Sequence, residues 1–421
     1  MLMLSIELLQ PLHALEANPA ATAVASSWTL AGGGPVDPRA SGAAPAISDT
    51  GNFALRMFVF LNWPALPGMR GVPDPSGRLG QSAPTVWETF KNASEIYLPN
   101  GQVPSAWPAM SELPAGVVAP SLQQLQERFG VTDSPWIHYL AEDIMIDGNR
   151  ICDANAVQIR YEVRCNRDNF DYVVSNPSGY PLYTLEGQEQ ALADPRFQFL
   201  FPGTSVEVKA SWRILGPNDD DSRYWTAYGA YRDPVQGKVL FAKIGLTAFH
   251  FASNLSSGGV WLTYEQADNS TSTFLFLFLR QGKPVGPNTT VNPAAAAYNQ
   301  ALRAGTAGTK WQYYNIIGWQ ASETTSTGDP VILANSNIET YFEQRSSCMS
   351  CHAMANIGPR GGPPGTQRLD FWIYPNGGIT GRVGLIDFQA IAKKAFPNIA
   401  FKQMDSVWSL REAQSTQAAA P

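Results

Sequence analysis

The stretch that decides the fold is KVLFAKIGLTAFHFA, which runs from Lys238 to Ala252. It is long and apolar, and its aromatic and β-branched residues favour an extended backbone. We expect it to form a central strand of a sheet. The next such stretch, Gly259 to Gln266, follows after a short polar break and is predicted to pair with it.

Two stretches further upstream have the alternation of half-buried strands. Ala156 to Arg164 and Ser205 to Leu215 place apolar residues at about every second position, which is the period at which side chains alternate between the faces of a sheet. The sequence therefore predicts an α+β, β-rich fold, in which a large antiparallel-sheet body carries short helices. The composition agrees, because charged residues make up only 15% of the chain while glycine (36) and proline (32) are abundant.

The N-terminal half also carries signals for helices. Ser121 to Gly130 is predicted as a short helix that glycine terminates. Phe53 to Pro64 is apolar throughout and fits either a helix or a buried strand, since a short apolar run does not distinguish the two.

Near the C-terminus the chain reads Cys348-Met349-Ser350-Cys351-His352. C-x-x-C-H is the attachment sequence of a c-type haem. The two thiols add across the haem vinyl groups, and the histidine then lies under the iron as the proximal ligand. A thioredoxin-like motif would need a βαβ context and a zinc site would need a second Cys/His pair, and the sequence offers neither. We expect one haem c, bound by Cys348, Cys351 and His352.

The position of this motif predicts the organisation of the chain. Residues 1–50 are rich in Ala, Pro, Gly and Ser and are predicted as a flexible extension. Residues 51–335 are predicted as the β-rich body. Residues 336–421 are predicted as a c-type haem-binding segment that packs on this body rather than forming a separate small cytochrome.

Charge and hydropathy exclude several classes of partner. The net charge is −6 and there is no Lys/Arg cluster, so nucleic acid and anionic membranes are not expected partners. The longest apolar run, Phe274 to Leu279, is far too short to span a bilayer.

Haem attachment of this kind takes place outside the cytoplasm in bacteria, so we expect a periplasmic protein. Met1 to Leu15 is fairly apolar, but no basic residue precedes Arg39, and a signal peptide needs a positive start. In an oxidising compartment Cys152 and Cys165, which flank a predicted strand, can form a disulfide. Two buried thiols are the other interpretation.

The sequence resembles a family of bacterial periplasmic proteins described as cytochrome c family proteins. The similar stretches are spread over most of the chain: Leu61 to Pro64, Arg70 to Pro75, Val86 to Lys91, Lys209 to Arg213, Trp261 to Asn269 and Ser346 to Ala355. The resemblance implies a haem but no particular substrate. It also implies a functional histidine on the strand before the Trp261 stretch, in a Gly-Leu-His setting. Here Gly245-Leu246 is followed by Thr247-Ala248-Phe249-His250, so the histidine is displaced by a few positions.

A haem bound by His352 has a second axial position, which a side chain fills or leaves open. The candidates are His13, His138, His250, Met349, Met354 and Met404. His250 is the favoured distal ligand, because of the family setting and because it lies in a strongly apolar stretch. Met404 is the substitute, and an open iron face is the third alternative.

Two functional interpretations follow from these alternatives. A filled distal position favours an electron carrier that exchanges electrons with a redox partner protein. An open position favours a haem enzyme of the peroxidase or oxygenase kind. The sequence shows no evident acid/base constellation, so we expect the carrier, and whether the chain is an enzyme remains open at this stage.

Overall fold

The computed structural model describes residues 34–40, 42, 49–110, 113–114, 117–133, 135–140, 150–152, 158–233, 236–256, 259–271, 274–278, 281–285, 291–339, 347–362, 367–369 and 387–416. Most of the predicted extension 1–50, including His13, lies outside these residues.

The helices of the described residues are short. In chain order they are α1 (Thr50–Leu61), α2 (Ala93–Ile96), α3 (Leu122–Phe129), α4 (Arg167–Ser175), α5 (Leu185–Ala193), α6 (Ala296–Gly305), α7 (Cys348–His352) and α8 (Phe388–Ala395). The predicted helix before Gly130 is α3. Ser121 begins it with a reciprocal capping box with Gln124, and Gly130 ends it in the left-handed conformation (φ 68°). The apolar stretch after Phe53 is helical and forms most of α1.

The strands make a β-rich fold. They are β1 (Lys91–Asn92), β2 (Ile137–Tyr139), β3 (Arg150–Cys152), β4 (Ile159–Cys165), β5 (Val206–Ile214), β6 (Thr226–Arg232), β7 (Val239–Ser253), β8 (Val260–Gln266), β9 (Phe274–Phe278), β10 (Gln281–Val285), β11 (Tyr314–Gln320), β12 (Asn356–Ile357) and β13 (Lys402–Gln403). Eight of them form one large sheet with the path β1-β4-β5-β7-β6-β2; β8 is added beside β7, and β11 pairs with β8.

β7 is the centre of this sheet, as predicted. One of its edges pairs with β5, and its other edge pairs with β6 over residues 239–245 and with β8 over residues 248–253. The predicted alternating strands are β4 and β5. The sheet is mixed rather than purely antiparallel, because β2 runs parallel to β6. No tight hairpin joins these two strands, so nothing forces them to run antiparallel.

The large sheet has two faces of different character. Side chains alternate along each strand, so the strand registers assign Val208, Phe249, Phe251 and Tyr264 to one face, which we call the apolar face. Helix α1 covers it. The Phe58 ring lies 6.0 Å from Phe249 and 5.3 Å from Tyr264 between centroids, so the largest hydrophobic cluster lies between α1 and the sheet.

The opposite face, which we call the motif face, is polar and carries the C-terminal segment. Its residues in the three central strands include Lys209, His250, Trp261, Thr263 and Glu265. Two side-chain contacts attach the chain beyond β11 to this face: Asn335 Nδ2 donates to Thr263 Oγ1 at 3.0 Å, and Ser336 Oγ donates to Glu265 at 2.8 Å. The C-terminal segment therefore packs on the sheet through specific polar contacts.

The disulfide considered between Cys152 and Cys165 is not formed. Cys152 is bridged to Gln158, just before β4 begins, whereas Cys165 is the last residue of β4. Seven residues of extended chain separate those two points by about 20 Å, while a disulfide needs Cα atoms within about 7 Å. The Cys165 thiol instead donates to Glu207 at 3.6 Å. The helices of the described residues are all too short or too polar to cross a bilayer.

Candidate functional site

The C-x-x-C-H motif forms the short helix α7, which is fixed to the edge of the sheet. Ser347 caps it by accepting from the Ser350 N–H at 3.3 Å. The Gln320 amide on β11 donates to Ser347 Oγ at 2.9 Å and accepts from the Met349 N–H at 3.2 Å. One glutamine side chain therefore sets the position of the first turn, and with it the position of both cysteines.

His352 at the end of α7 is oriented by a backbone carbonyl. Its Nδ1 atom lies 2.7 Å from the Ser406 carbonyl oxygen. A carbonyl only accepts, so Nδ1 carries the proton and Nε2 keeps its lone pair. This is the arrangement in which a histidine binds a metal through Nε2 while a second hydrogen bond fixes its ring.

The Ser406 carbonyl is held in place by an unusual turn. Asp405 and Ser406 both adopt positive φ, at 49° and 66°, which is uncommon for residues other than glycine. The Asp405 carboxylate accepts from the Phe201 N–H at 2.7 Å and from Asn254 Nδ2 at 2.8 Å. These two contacts fix the turn to the body, so the body and not the C-terminal segment alone orients His352.

His250 on β7 lies on the motif face because of a β-bulge. Ser211 pairs with Ala248 and Trp212 with Leu246, which leaves Thr247 as the extra residue. Leu246 therefore faces the apolar core, while three residues later Phe249 does so as well. Without the extra residue, strict alternation from Leu246 would turn His250 into that core.

The His250 ring has an uncommitted nitrogen. Its Nε2 atom is buried and makes no hydrogen bond among the described residues; the Glu339 carboxylate oxygen lies 3.5 Å away. Buried polar atoms are nearly always paired, and this nitrogen is available for a further partner. Trp261, two residues along from the strand partner of His250, packs on His352 with 4.1 Å between ring centroids.

The charge of His352 acts on His250, and both rings are in buried surroundings. Burial, and then the charges of His352 and Lys209, lower the pKa of His250 to about 3. Burial lowers the pKa of His352 to about 4; the Ser406 carbonyl opposes this effect and Lys209 adds to it. Both imidazoles are therefore neutral at pH 7, which is the form that binds iron.

The two motif thiols differ in environment. Cys348 is buried, and burial followed by the charges of Glu339 and Cys351 raises its pKa well above the usual value. Cys351 is partly exposed, and its carbonyl accepts from Trp408 Nε1 at 3.2 Å. Neither cysteine is in a disulfide, which is compatible with covalent attachment.

The other predicted ligands are committed elsewhere. Met349 packs with Trp261 and Cys348, and Met354 is fully buried with Phe388. Met404 is fully buried and packs in a separate hydrophobic cluster. His138 lies in β2 between two glutamates, beneath the apolar face.

These residues fit a c-type haem. They provide two thiols at the required spacing, an oriented imidazole and, close by, a second imidazole with a buried, unpaired Nε2. No three His, Cys, Asp or Glu side chains of the described residues are placed to hold a bare metal ion. A haem needs no such cluster, since the porphyrin supplies the other ligands to its iron.

A cleft of about 530 Å³ opens beside the motif. Its lining includes Ala353, which follows His352, the Asp405–Ser406 turn, and Phe197 and Phe199 from the body. The cleft gives the motif an open side on the surface of the molecule, within the size range of small-molecule sites.

Sequence reasoning found His352 and His250 but missed the residues around them, which are Lys209, Trp261, Glu339, Asp405 and Ser406. Lys209 and Trp261 both lie in stretches that mark the family resemblance, which is a signal for importance but not for contact. Nothing in the sequence indicates that the Ser406 carbonyl meets His352, because that contact depends on the backbone path of a turn.

Comparison with known proteins gives no match: no family model, curated protein or solved structure resembles this chain. The family resemblance drawn from sequence motifs therefore stays an expectation.

Proposed function

We propose that this chain is a periplasmic c-type cytochrome that carries one covalent haem c and transfers electrons. The observation that carries this proposal is the meeting of two neutral histidines with available Nε2 atoms, His352 in the C-x-x-C-H motif and His250 on the sheet. Two imidazoles on one haem iron leave no open position for a substrate.

Each residue of the site has a role in this proposal. Cys348 and Cys351 form the thioether bonds, and α7 presents them at the correct spacing. His352 is the proximal ligand, and the Ser406 carbonyl holds its Nδ1 proton, which makes Nε2 a stronger donor. When bound, the haem supplies a one-electron redox centre.

His250 is the distal ligand in this proposal. A strand held on both edges is a rigid mount, so little rearrangement accompanies a change of charge at the site. Lys209 on β5 lies opposite His250 on β7 in the strand register. Its positive charge would favour the reduced state of the haem iron, which carries less positive charge than the oxidised state.

The cellular location and partner follow from the same chemistry. Covalent c-type haem attachment in bacteria supports a periplasmic location. The two cysteines outside the motif are buried, which protects them from oxidation in that compartment. The partner is a redox protein, and the cleft beside Ala353 is the side from which it can approach the motif.

One observation favours a second function, a haem enzyme of the peroxidase or oxygenase kind. Lys209 and Glu339 both lie near His250, and a cation and a carboxylate beside an open iron face suit the proton transfers of such an enzyme. In that case His250 stays off the iron and the iron has an open face. The spin state of the iron separates the two functions.

Covalent attachment is the first experimental question. The chain is expressed with an added export signal in a bacterium that matures c-type cytochromes, then denatured and extracted with acidified acetone. We expect the haem absorbance to stay with the protein. It should be reduced or lost in Cys348→Ala and Cys351→Ala and retained in the matched control Cys152→Ala. Release of all haem from the unaltered chain would refute the proposal.

A further inference from the structure

A second cleft, of about 350 Å³, opens at the other side of the large sheet. Its floor carries Glu88 and His138, and His138 contacts Glu162 and Trp212, which belong to the apolar face. His250 lies on the motif face of the same sheet, so this cleft is separate from the candidate haem site. Its volume is near the lower end of the range for small-molecule sites.

The floor of the cleft is a buried and fully paired set of charges. His138 lies between two carboxylates, with Nε2 3.3 Å from Glu88 and Nδ1 2.9 Å from Glu162. Arg164 pairs with Glu162 at 2.8 Å. These four groups carry two negative and two positive charges and cancel each other, so the floor adds no net charge to the cleft.

The acceptor atoms on the floor are already used. Glu88 Oε2 accepts from the Thr85 N–H at 2.7 Å, and Oε1 accepts from Trp225 Nε1 at 3.0 Å. One unpartnered group in the lining is a donor. Trp136 Nε1 is buried and has no hydrogen-bond partner among the described residues. A ligand that completes this site must therefore bring acceptor atoms.

The remaining charge at the cleft is positive. Lys310 is half-buried in the lining, where burial lowers its pKa, and it directs one of its three N–H donors to Thr226 at 3.2 Å. Of the carboxylates that act on it, Asp221 is paired with Lys243 and Asp220 accepts from the Ser222 N–H; neither is in the lining of the cleft. Lys310 is thus placed to bind an anion.

The walls of the cleft are aromatic, with Trp136, Trp225 and Tyr228 in its lining. Flat rings favour a flat apolar ligand, which packs against them and contacts their N–H and O–H groups at its edge. Taken together, the walls, the donor surplus and Lys310 define one class of ligand. We infer that this cleft is a binding site for a small planar aromatic carboxylate, whose ring packs among the aromatic side chains and whose carboxylate accepts from Lys310 and Trp136.

The inference is tested by calorimetry on the full chain with 1-naphthoate and benzoate as probes. We expect saturable one-to-one binding of at least one of them. Cyclohexanecarboxylate, which lacks the aromatic ring, and 1-naphthalenemethanol, which lacks the charge, should each bind at least about tenfold more weakly. Neither measurement involves the haem, so the outcome is independent of the proposed function.

Variants locate the binding. Lys310→Met should weaken binding at least about tenfold, and Trp136→Phe, which keeps a ring and removes the N–H, several-fold. Lys310→Gln serves if the methionine variant does not fold. Lys238→Met removes an exposed lysine elsewhere and should leave the affinity unchanged. No saturable binding of either probe up to about 10 mM, or equal affinity after loss of the Lys310 charge, would overturn the inference.

Discussion

Thr247 is the extra residue of a β-bulge, and its insertion turns His250 from the apolar core to the face that meets His352. The bulge is held by buried hydroxyl contacts: Thr247 Oγ1 lies 2.8 Å from Ser211 Oγ and donates to the Ser211 carbonyl at 3.0 Å. A bulge of this kind re-aims the side chains that follow it, and bulges are frequent near functional sites.

The first prediction concerns this bulge. Thr247→Val keeps the shape of the side chain but removes its hydroxyl, which takes away one buried hydrogen-bond partner each of the Ser211 hydroxyl and the Ser211 carbonyl. We expect the free energy of unfolding to fall by about 1–3 kcal/mol, measured by denaturant titration. Thr247→Ser keeps the hydroxyl, so its free energy of unfolding should fall by less. Equal losses in the two variants would show that the methyl group, and not the hydrogen bond, supports the bulge.

A second prediction concerns the turn that orients His352. Asp405→Ala removes the acceptor of the Phe201 and Asn254 contacts and loosens the Ser406 carbonyl. The hydrogen bond to His352 Nδ1 then weakens, Nε2 becomes a poorer donor, and the oxidised iron is less stabilised. We expect a higher midpoint potential in redox titration of the haem-loaded protein. Asp405→Asn keeps a side-chain acceptor, so its midpoint potential should stay closer to that of the unaltered protein. A midpoint potential unchanged by Asp405→Ala would contradict this role of the turn.

Lys209 provides a third prediction, based on charge. Its ammonium group disfavours additional positive charge at His250 and His352, and oxidised iron is such a charge. Lys209→Met should therefore lower the midpoint potential by tens of millivolts, on the order expected for a unit charge at this range. Lys209→Arg preserves the charge and is the matched control. A potential that rises in Lys209→Met, or shifts equally in both variants, would exclude an electrostatic role.

The fourth prediction concerns the pH dependence of stability that His138, beneath the apolar face of the sheet, produces. Burial and the charge of Arg164 lower the pKa of His138. The charge of Glu162 and the hydrogen bonds to Glu162 and Glu88 outweigh them and raise the pKa from 6.5 to about 9. A raised pKa means that the folded chain binds the proton more tightly. This contribution to stability is therefore complete below pH 6.5 and is lost as the pH rises through 9.

The comparison is between the unaltered chain and His138→Gln. Their free energies of unfolding should differ most near pH 6 and progressively less towards pH 9.5, by an amount on the order of a few kcal/mol. Urea titration across that range measures the difference. A difference that stays constant with pH would mean that His138 does not titrate in this range and acts through packing alone.

Much of the fold could be predicted from the sequence. The alternation of apolar residues locates β4 and β5, and apolar stretches locate β7 and β8. The spacing of Cys348, Cys351 and His352 predicts the haem motif without reference to any structure. What the sequence left open is how distant stretches meet. Of the two interpretations for Cys152 and Cys165, the disulfide was wrong: the extended course of β4 holds the two cysteines too far apart.

The bulge explains a subtler gap between sequence and structure. Ile244 and Leu246 face the core, and so do Phe249 and Phe251, so the period-two pattern breaks once within β7. Because of this break, apolar residues occupy both even and odd positions of β7. In the sequence they look like one continuous apolar run, which fits a strand buried on both faces. The family resemblance pointed to His250, but only the register with β5 shows on which face it lies.

The most direct test of the central claim is the optical spectrum of the haem-loaded protein, with and without His250→Ala. If His250 and His352 bind one iron, the oxidised protein is low-spin and His250→Ala becomes high-spin and gains rapid reaction with peroxide. Met404→Ala, the matched variant for the substitute ligand, should keep the low-spin spectrum. An unaltered protein that is already high-spin, or a low-spin spectrum that survives His250→Ala and is lost in Met404→Ala, would contradict the account.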